Sequence, residues 1–207
     1  MGRQNAQERE PRAGDGELTQ PHNLGNRPAA VVCHGGPMEV RARADTDLLA
    51  CERLAAVVHA NDGYPVYLPG DLRSFLVAPQ ALAAWVAVHG GEVVGHVALH
   101  NGSSRAVIDL AVEATGLPAP RLGVVARLLV SPRVRRAGIG RSLLDVAACH
   151  AARLGLQPIL DVVDRHEAAI RLYENTGWTC VGRVTVTFGR GVPIDELVYL
   201  GPGMPAP

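Results

Sequence analysis

The chain of 207 residues contains no lysine, so all 20 of its basic residues are arginines. They are matched by 20 acidic residues, which leaves a formal net charge of zero. A surface devoted to nucleic acid or to an anionic membrane needs a clear basic excess, because the contacted phosphates must be neutralised. The charge balance therefore predicts a protein that binds neither nucleic acid nor a membrane.

Cysteine and long apolar runs are also scarce. No apolar run approaches the roughly 20 residues that a membrane-spanning helix requires, and the N-terminus lacks the apolar segment of a secretory signal. The cysteines are far apart and form no Cys-x-x-Cys pair, so the sequence predicts neither a disulfide framework nor a zinc site. They are Cys33, Cys51, Cys149 and Cys180. We therefore expect a cytoplasmic protein with reduced thiols and no metal.

Composition and pattern divide the chain into one domain and two tails. Residues 1–37 are rich in Gly, Pro, Asn and Gln without helical or strand periodicity, which predicts a disordered N-terminal arm. The patterned segment runs from Met38 to residue 200 and predicts one folded domain. Residues 201–207 contain Gly and Pro in a pattern that continues neither helix nor strand, so we expect a short C-terminal tail.

Strands and helices alternate within this domain. Gly90 and Gly91 separate two strand patterns and predict a tight hairpin turn. Apolar periodicity predicts helices over residues 46–60, 105–116 and 138–154, and a helix that begins with a capping box of Asp164 and Glu167 and ends at Gly177. Strand patterns occupy residues 39–43, 85–89, 92–100, 123–130, 158–163, 179–187 and 196–200. This order predicts an α/β domain in which helices cover both faces of a mixed sheet.

The segment that carries chemistry lies where a buried strand runs into a turn, and Gly138 and Gly140 open the next helix. Glycines allow the main chain to approach an anion closely, and a helix N-terminus presents unpaired N–H groups with a partial positive charge. Four arginines cluster here, at positions 133, 135, 136 and 141. Together these features predict a phosphate or pyrophosphate site. The alternative is that the two glycines only shape a tight turn.

Two familiar phosphate loops do not fit this segment. The P-loop requires a lysine, which the chain lacks. The dinucleotide-binding fingerprint requires a third glycine where Leu143 stands. The site is therefore of another kind.

At this point the residues resemble a known family, the GNAT superfamily of acyl-CoA-dependent N-acetyltransferases. One family signature, Arg/Gln-x-x-Gly-x-Gly/Ala, is met by Arg135, Gly138 and Gly140. A second signature, Ala-x-x-Leu-Tyr-x-x-x-Gly-Trp/Phe, is met by Ala169, Leu172, Tyr173, Gly177 and Trp178. The resemblance implies a mostly antiparallel sheet of about six or seven strands, helices on both faces, a splayed central pair of strands, and acetyl-CoA as co-substrate.

The resemblance also implies which residues bind acetyl-CoA. Its pyrophosphate would lie on the turn and the helix start, formed by Arg135, Arg136, Ala137, Gly138, Ile139, Gly140, Arg141 and Ser142. Its pantetheine arm would follow the main chain of Leu128, Leu129 and Val130 like an added strand. A backbone N–H near Leu129 would then polarise the thioester carbonyl. His166 occupies the position at which relatives commonly bind pantetheine through an asparagine.

Catalytic groups follow from the same resemblance. Tyr173 matches the general acid that protonates the leaving thiolate; the alternative is core packing, because it shares a helix face with Ala169 and Leu172. Relatives commonly carry a glutamate base near the strand 123–130, and this strand has only Arg127 as a charged residue. His96 and His100 are the substitutes that we consider, because histidine titrates in the useful range; the alternative is that they are packed or solvent-facing residues.

The acceptor is expected to bind beside the loop that follows the first helix. Asp62, Tyr64 and Tyr67 in this loop suit an amine cation, although an ordinary stiffened loop explains them equally well. The predicted function is direct transfer of an acetyl group from acetyl-CoA to a primary amine, on a small molecule or a peptide, in a ternary complex. The alternatives are a non-catalytic acyl-CoA-binding sensor or regulatory module and a nucleotide-binding protein, and a homodimer is left open.

Overall fold

The structure, a computed structural model, describes residues 31–33, 36–66, 69–188 and 191–202. The described strands are β1 Val31–Cys33, β2 Gly36–Ala42, β3 Ala81–His89, β4 Glu92–His100, β5 Leu122–Val130, β6 Gln157–Val163, β7 Thr179–Phe188 and β8 Val192–Leu200. The described α-helices are α1 Leu48–Asp62, α2 Leu72–Leu76, α3 Arg105–Thr115, α4 Ile139–Arg153 and α5 Glu167–Glu174.

All the described strands form one sheet in the order β1-β2-β3-β4-β5-β6-β8-β7. Neighbouring strands are antiparallel except β5 and β6, which are parallel. Strand β1 has three residues, and the seven longer strands form the main sheet. The predicted α/β class, with a mixed and mostly antiparallel sheet, is confirmed.

The parallel pair at the centre of the sheet separates after a short contact. Leu122 lies opposite Gln157, Gly123 opposite Pro158 and Val124 opposite Ile159, and the register ends there. Beyond this point β5 and β6 continue without pairing, so a V-shaped cleft opens between them. The splayed central pair is therefore confirmed.

Helices cover both faces of the sheet, as predicted. On one face α4 buries Leu143, Leu144 and Ala147 in a core with Trp85 and Tyr199. On the other face α1 packs on Val86 and Leu129, and α3 packs on Val124, Ile159 and Val198. Because successive strand residues point to opposite faces, each strand contributes to both layers.

The sheet extends further toward the N-terminus than the expected domain boundary at Met38. Strand β2 begins at Gly36, and β1 pairs with it in the segment that was expected to be a disordered arm. At the other end β8 stops at Leu200, but Gly201 still bonds to the domain, since its N–H lies 2.8 Å from the Pro158 carbonyl oxygen.

A short helix, α2, lies between the first helix and the hairpin and is capped by the Asp71 side chain accepting from the Ser74 N–H at 3.1 Å. The capping box of Asp164 and Glu167 is wrong, because α5 begins at Glu167 itself and the Asp164 carboxylate accepts from Arg183 at 2.6 Å instead.

Candidate active site

A β-bulge in β5 shapes one wall of the cleft. His96 lies opposite Leu129 and Ala98 lies opposite Ala126, so β5 has two residues where β4 has one. Arg127, the first of these two residues, has a φ of 57°, in the left-handed region that non-glycine residues rarely adopt. Such a conformation persists when surrounding contacts hold it.

A chain of hydrogen bonds holds this bulge. The His96 ring Nδ1 lies 3.0 Å from the Arg127 carbonyl oxygen, and its Nε2 lies 3.2 Å from Nη1 of Arg43. The same Nη1 donates to the Leu76 carbonyl oxygen of α2 at 2.8 Å. These partners fit a neutral imidazole in which Nδ1–H donates to the bulge and Nε2 accepts from Arg43. The bulge is thereby tied to α2.

The surroundings of the two histidines considered as bases favour the packed alternative. His96 is fully buried, both ring nitrogens have partners, and burial lowers its pKa to about 4. His100 lies on the same face of β4 and is 3% exposed, and burial lowers its pKa to about 4 as well. Its Nε2 has no hydrogen-bond partner among the described residues. Both imidazoles are neutral near pH 7, and His96 acts as a positioning residue.

The direction of the main-chain amides bears on which N–H near Leu129 faces the cleft. The Ser131 N–H donates to the Val94 carbonyl oxygen of β4 at 2.8 Å. Because N–H groups alternate in direction along a strand, the Val130 amide faces the open edge and the Leu129 amide faces β4. The Leu129 side chain is fully buried under α1. The Val130 amide thus lines the cleft.

The turn before α4 has the geometry of an anion site. Gly138 is the N-cap with a φ of 77°, and a side-chain carbon there would meet no atom within 4 Å. The first helical bond runs from the Ser142 N–H to the Gly138 carbonyl oxygen at 3.0 Å. The N–H groups of Ile139, Gly140 and Arg141 precede this bond and are not used inside the helix. The turn predicted to bind phosphate is thus open and lined by main-chain amides.

Other predicted members of this loop serve packing. A side-chain carbon at Gly140 would lie 2.8 Å from Cδ2 of Leu172, so glycine is needed there for α4 to approach α5. The side chains of Ala137 and Ile139 pack into or against the core. These residues offer only their main chain to a ligand.

The arginines of the loop differ in their surroundings. Arg135 forms a two-pronged ion pair with the Asp62 carboxylate, with 2.9 Å between Nη1 and Oδ1. Arg141 donates to the Asn175 carbonyl oxygen at 2.8 Å. Arg133 and Arg136 are exposed and take part in none of the ion pairs of the described chain. The predicted acceptor residue Asp62 and the predicted cofactor residue Arg135 are thus bound to each other.

Tyr173 of α5 lies in the core beside the cleft. Its ring centre is 5.8 Å from that of Tyr199 and 6.3 Å from that of Trp178. Burial raises the pKa of its phenol well above the usual range, and the neighbouring Tyr64 and Asp161 add to this shift. Tyr64 and Asp161 belong to the opposite side of the sheet, so the three groups meet where the sheet is open.

Of the residues expected at the acceptor loop, Tyr64 is at the cleft. Its ring stands edge-on to His166, with 6.0 Å between centres, and burial raises its pKa to about 12. His166 is the N-cap of α5, and Asp62 is the last residue of α1. Tyr67 lies outside the described residues.

Two carboxylates that the sequence patterns did not single out also lie at the cleft. Asp161 of β6 lies opposite Val198, and Glu196 of β8 lies opposite Val163, so both side chains are on the same face. Ser103 donates to Asp161 Oδ1 at 2.9 Å. Burial raises the pKa of Asp161, and burial with the charge of Asp161 raises that of Glu196 to about 7. The available signal was acidic residues within apolar strands, Asp161 in β6 and the Asp195–Glu196 pair in β8.

The part of the chain that the structure describes shows neither a metal-ligand cluster nor a membrane-spanning helix. It contains no group of three or more His, Cys, Asp or Glu side chains placed to hold a metal ion. Within the same residues, none of the helices combines the length and the apolar character that crossing a membrane requires.

The splayed strands and the glycine-started helix are the two features that the resemblance to acyl-CoA-dependent N-acetyltransferases implied, and both are present. A family comparison agrees with them. The model of the acetyltransferase (GNAT) family matches residues 49–178, which include both signatures. The chain therefore belongs to the acetyltransferase (GNAT) family.

Known proteins support the same fold. The crystal structure of Arabidopsis thaliana NAA60 in complex with acetyl-CoA is 20% identical with a TM-score of 0.60, and the match covers 79% of this chain and 97% of that one. The ribosomal-protein-S18-alanine N-acetyltransferase from Escherichia coli is 18% identical with a TM-score of 0.58, over 82% of this chain and 96% of that one. At these identities the similarity shows the fold alone.

One curated relative matches a shorter segment. It is the mycothiol acetyltransferase of Geodermatophilus obscurus, which is 41% identical over 59 residues. The match spans 28% of this chain and 19% of that protein. It therefore covers only a small part of the relative's length.

Proposed function

We propose that the protein transfers an acetyl group from acetyl-CoA to a primary amine, directly and in a ternary complex. The observation that carries this proposal is the cleft between β5 and β6. It is bordered by an unpaired strand edge on one side, by Tyr173 on another, and by the open helix start at Gly138 at its end.

The cleft suits acetyl-CoA along its whole length. The amides of residues 139–141 and the exposed Arg133 and Arg136 would receive the pyrophosphate. The unpaired edge of β5 would bond to the amide groups of the pantetheine arm as a neighbouring strand does. The thioester would then lie beside the bulge, where the Leu128 N–H would stabilise the oxygen that becomes negative in the transition state.

The transfer itself exchanges one bond for another. The amine nitrogen attacks the acetyl carbonyl carbon, the carbon–sulfur bond breaks, and Tyr173 gives its phenolic proton to the leaving thiolate. In water a thiol and a phenol differ in pKa by about 1.5, which corresponds to roughly 2 kcal/mol, and the burial of Tyr173 widens this gap. The raised pKa keeps Tyr173 protonated, so it holds the proton that the thiolate needs.

The proton of the amine needs an acceptor, and we assign this role to Glu196 instead of the two histidines. Its carboxylate is 4% exposed on the cleft face of β8, and its pKa of about 7 lets it exchange a proton near neutral pH. Neutral His96 has no free nitrogen to offer.

Two measurements on the full chain test the proposal. Acetyl-CoA at about 100 times its dissociation constant stabilises a protein by about 2.7 kcal/mol, which raises Tm by about 5–10 °C at this chain length. Release of free CoA thiol with a panel of primary amines then reports transfer. Binding without transfer to any amine would favour the non-catalytic sensor, and no stabilisation by acetyl-CoA or CoA would overturn the cofactor assignment.

A further inference from the structure

Two buried nitrogen atoms on the α1–α3 side of the cleft lack partners. Arg127 Nε and His100 Nε2 form no hydrogen bond within the described part of the chain. The Arg127 guanidinium lies 3.8 Å from the centre of the Phe75 ring and belongs to none of the described ion pairs. Because a buried polar atom without a partner costs free energy, these nitrogens are available to a ligand.

Two carboxyl groups lie across the cleft from Arg127. Asp161 and Glu196 project from β6 and β8 onto the same face, as their register requires. Arg127 and Asp161 influence each other electrostatically without forming an ion pair. Opposite charges that are held apart in a cleft complement a molecule that carries both charges.

We infer that the acceptor is an amine that also carries a carboxylate, such as a free amino acid, with its carboxylate on Arg127 and its amine toward Asp161 and Glu196. This inference rests on the proposed function, because it names the substrate class of the same cleft. It favours a small molecule over a peptide N-terminus, whose neighbouring carboxyl group is an uncharged amide.

The placement fits the chemistry of the transfer. Arg127 belongs to the bulge and is adjacent to Leu128, whose amide would face the thioester position. A carboxylate bound there holds the amine between the bulge and Glu196, the group assigned to take up its proton. The neutral His100 ring adds a hydrogen-bonding atom without adding charge.

The experiment uses matched acceptors with the same side chain. For phenylalanine, tyrosine and glutamate, thiol release is measured with the free amino acid, its amide and its decarboxylated amine. We expect kcat/KM for the free acid to exceed the other two by about tenfold or more, because a charge-assisted pair with Arg127 is worth about 1.4 kcal/mol or more.

Variants assign this preference to Arg127. Asparagine tolerates a left-handed backbone, so Arg127→Asn removes the guanidinium while keeping the bulge. We expect the acid-to-amine ratio of kcat/KM to fall about tenfold in this variant, and Arg127→Lys to restore part of it. Arg153→Gln, an exposed position at the end of α4, is the matched control and should keep the wild-type ratio.

Each outcome decides between the two proposals. Amides, decarboxylated amines or peptide N-termini that react as well as free acids would overturn this inference and leave acetyl transfer standing. If no acceptor releases thiol, the same amino acids are titrated calorimetrically into the CoA complex. Binding that Arg127→Asn weakens would support the inference while the proposed reaction fails, and absent binding would overturn both.

Discussion

Tyr173 is the residue on which the proposed proton transfer depends. Tyr173→Phe keeps the ring and its packing but removes the acidic proton. We expect kcat to fall by about 100-fold or more, the usual contribution of a general acid, with little change in acetyl-CoA affinity. The measurement is steady-state thiol release together with calorimetric binding of acetyl-CoA.

Tyr199→Phe is the matched control for this substitution. Tyr199 is equally buried, its ring lies 5.8 Å from that of Tyr173, and its hydroxyl contacts Glu174 at 3.4 Å. Tyr199 has no role in the proposed transfer, so the kcat of the Tyr199→Phe variant should stay near that of the wild type. An unchanged kcat in Tyr173→Phe would remove the acid role.

The raised pKa of Glu196 leads to a prediction of how activity depends on pH. Its carboxyl must be ionised to take the proton of the amine, and its pKa is about 7. We therefore expect kcat/KM to rise with pH through about 7, and Glu196→Gln to lower kcat/KM by about 100-fold and to abolish that rise. A pH–rate profile of both proteins with one acceptor checks this, and an unaltered profile in the variant would exclude Glu196 as the base.

The same residue predicts a change in stability that does not depend on catalysis. The pKa of Glu196 is raised from 4.5 to about 7 in the folded protein, so the folded state holds the proton more firmly than the unfolded state. Stability from this group is present at low pH and is lost as pH rises from about 4.5 to 7. Glu196→Gln should therefore gain Tm relative to the wild type between about pH 5 and 8, as thermal melts would show.

At the scale of elements, the two glycines of the α4 turn have separate roles. Gly138→Ala places a side chain in open space at a left-handed φ, so it should cost about 1 kcal/mol of stability and obstruct the phosphate cradle. Gly140→Ala should instead destabilise the packing of α4 on α5 through Leu172. Thermal melts and acetyl-CoA titrations separate the two effects.

A double-mutant cycle tests the packing role of Gly140. Leu172→Ala removes the atom that the new methyl group would meet, so the stability loss of Gly140→Ala should shrink in the Leu172→Ala background. Additive losses would show that Gly140 and Leu172 are not coupled. Gly138→Ala should show no such coupling, since nothing lies within 4 Å of its added carbon.

Elements with strong local signals were predictable from the sequence. Gly90 and Gly91 join β3 and β4, whose register closes at the His89 and Glu92 pair beside the turn. The start of α4 follows from Gly138. Helix α2 has five residues, which is too short for an apolar period to be recognised.

The acceptor side of the cleft was less predictable for a different reason. Arg127, Asp161 and Glu196 belong to three strands that are distant in sequence, and no spacing rule links them. The left-handed turn at Arg127 depends on His96 and Arg43, which reach it only after the strands have paired. Such a site is created by topology, so only the structure reveals it.

For the whole molecule, the net charge of zero conceals a separation of charge. The exposed Arg133 and Arg136 lie at the turn before α4, where we propose that the pyrophosphate binds, whereas the half-buried Asp161 and the buried Glu196 lie within the sheet. Arg135 is paired with the Asp62 carboxylate. The positive field at this turn is therefore local and comes mainly from Arg133, Arg136 and Arg141.

This arrangement predicts a salt-dependent affinity for CoA in a protein without net charge. Exposed charges are screened beyond a Debye length of about 10 Å at 0.1 M salt and about 3 Å at 1 M, so the Kd for CoA should rise steadily with sodium chloride. Arg133→Gln and Arg136→Gln should weaken binding at low salt and flatten this dependence, whereas Arg153→Gln should not. Calorimetric titration of CoA at several salt concentrations measures the slope, and equal slopes in all four proteins would mean that other groups bind the phosphates.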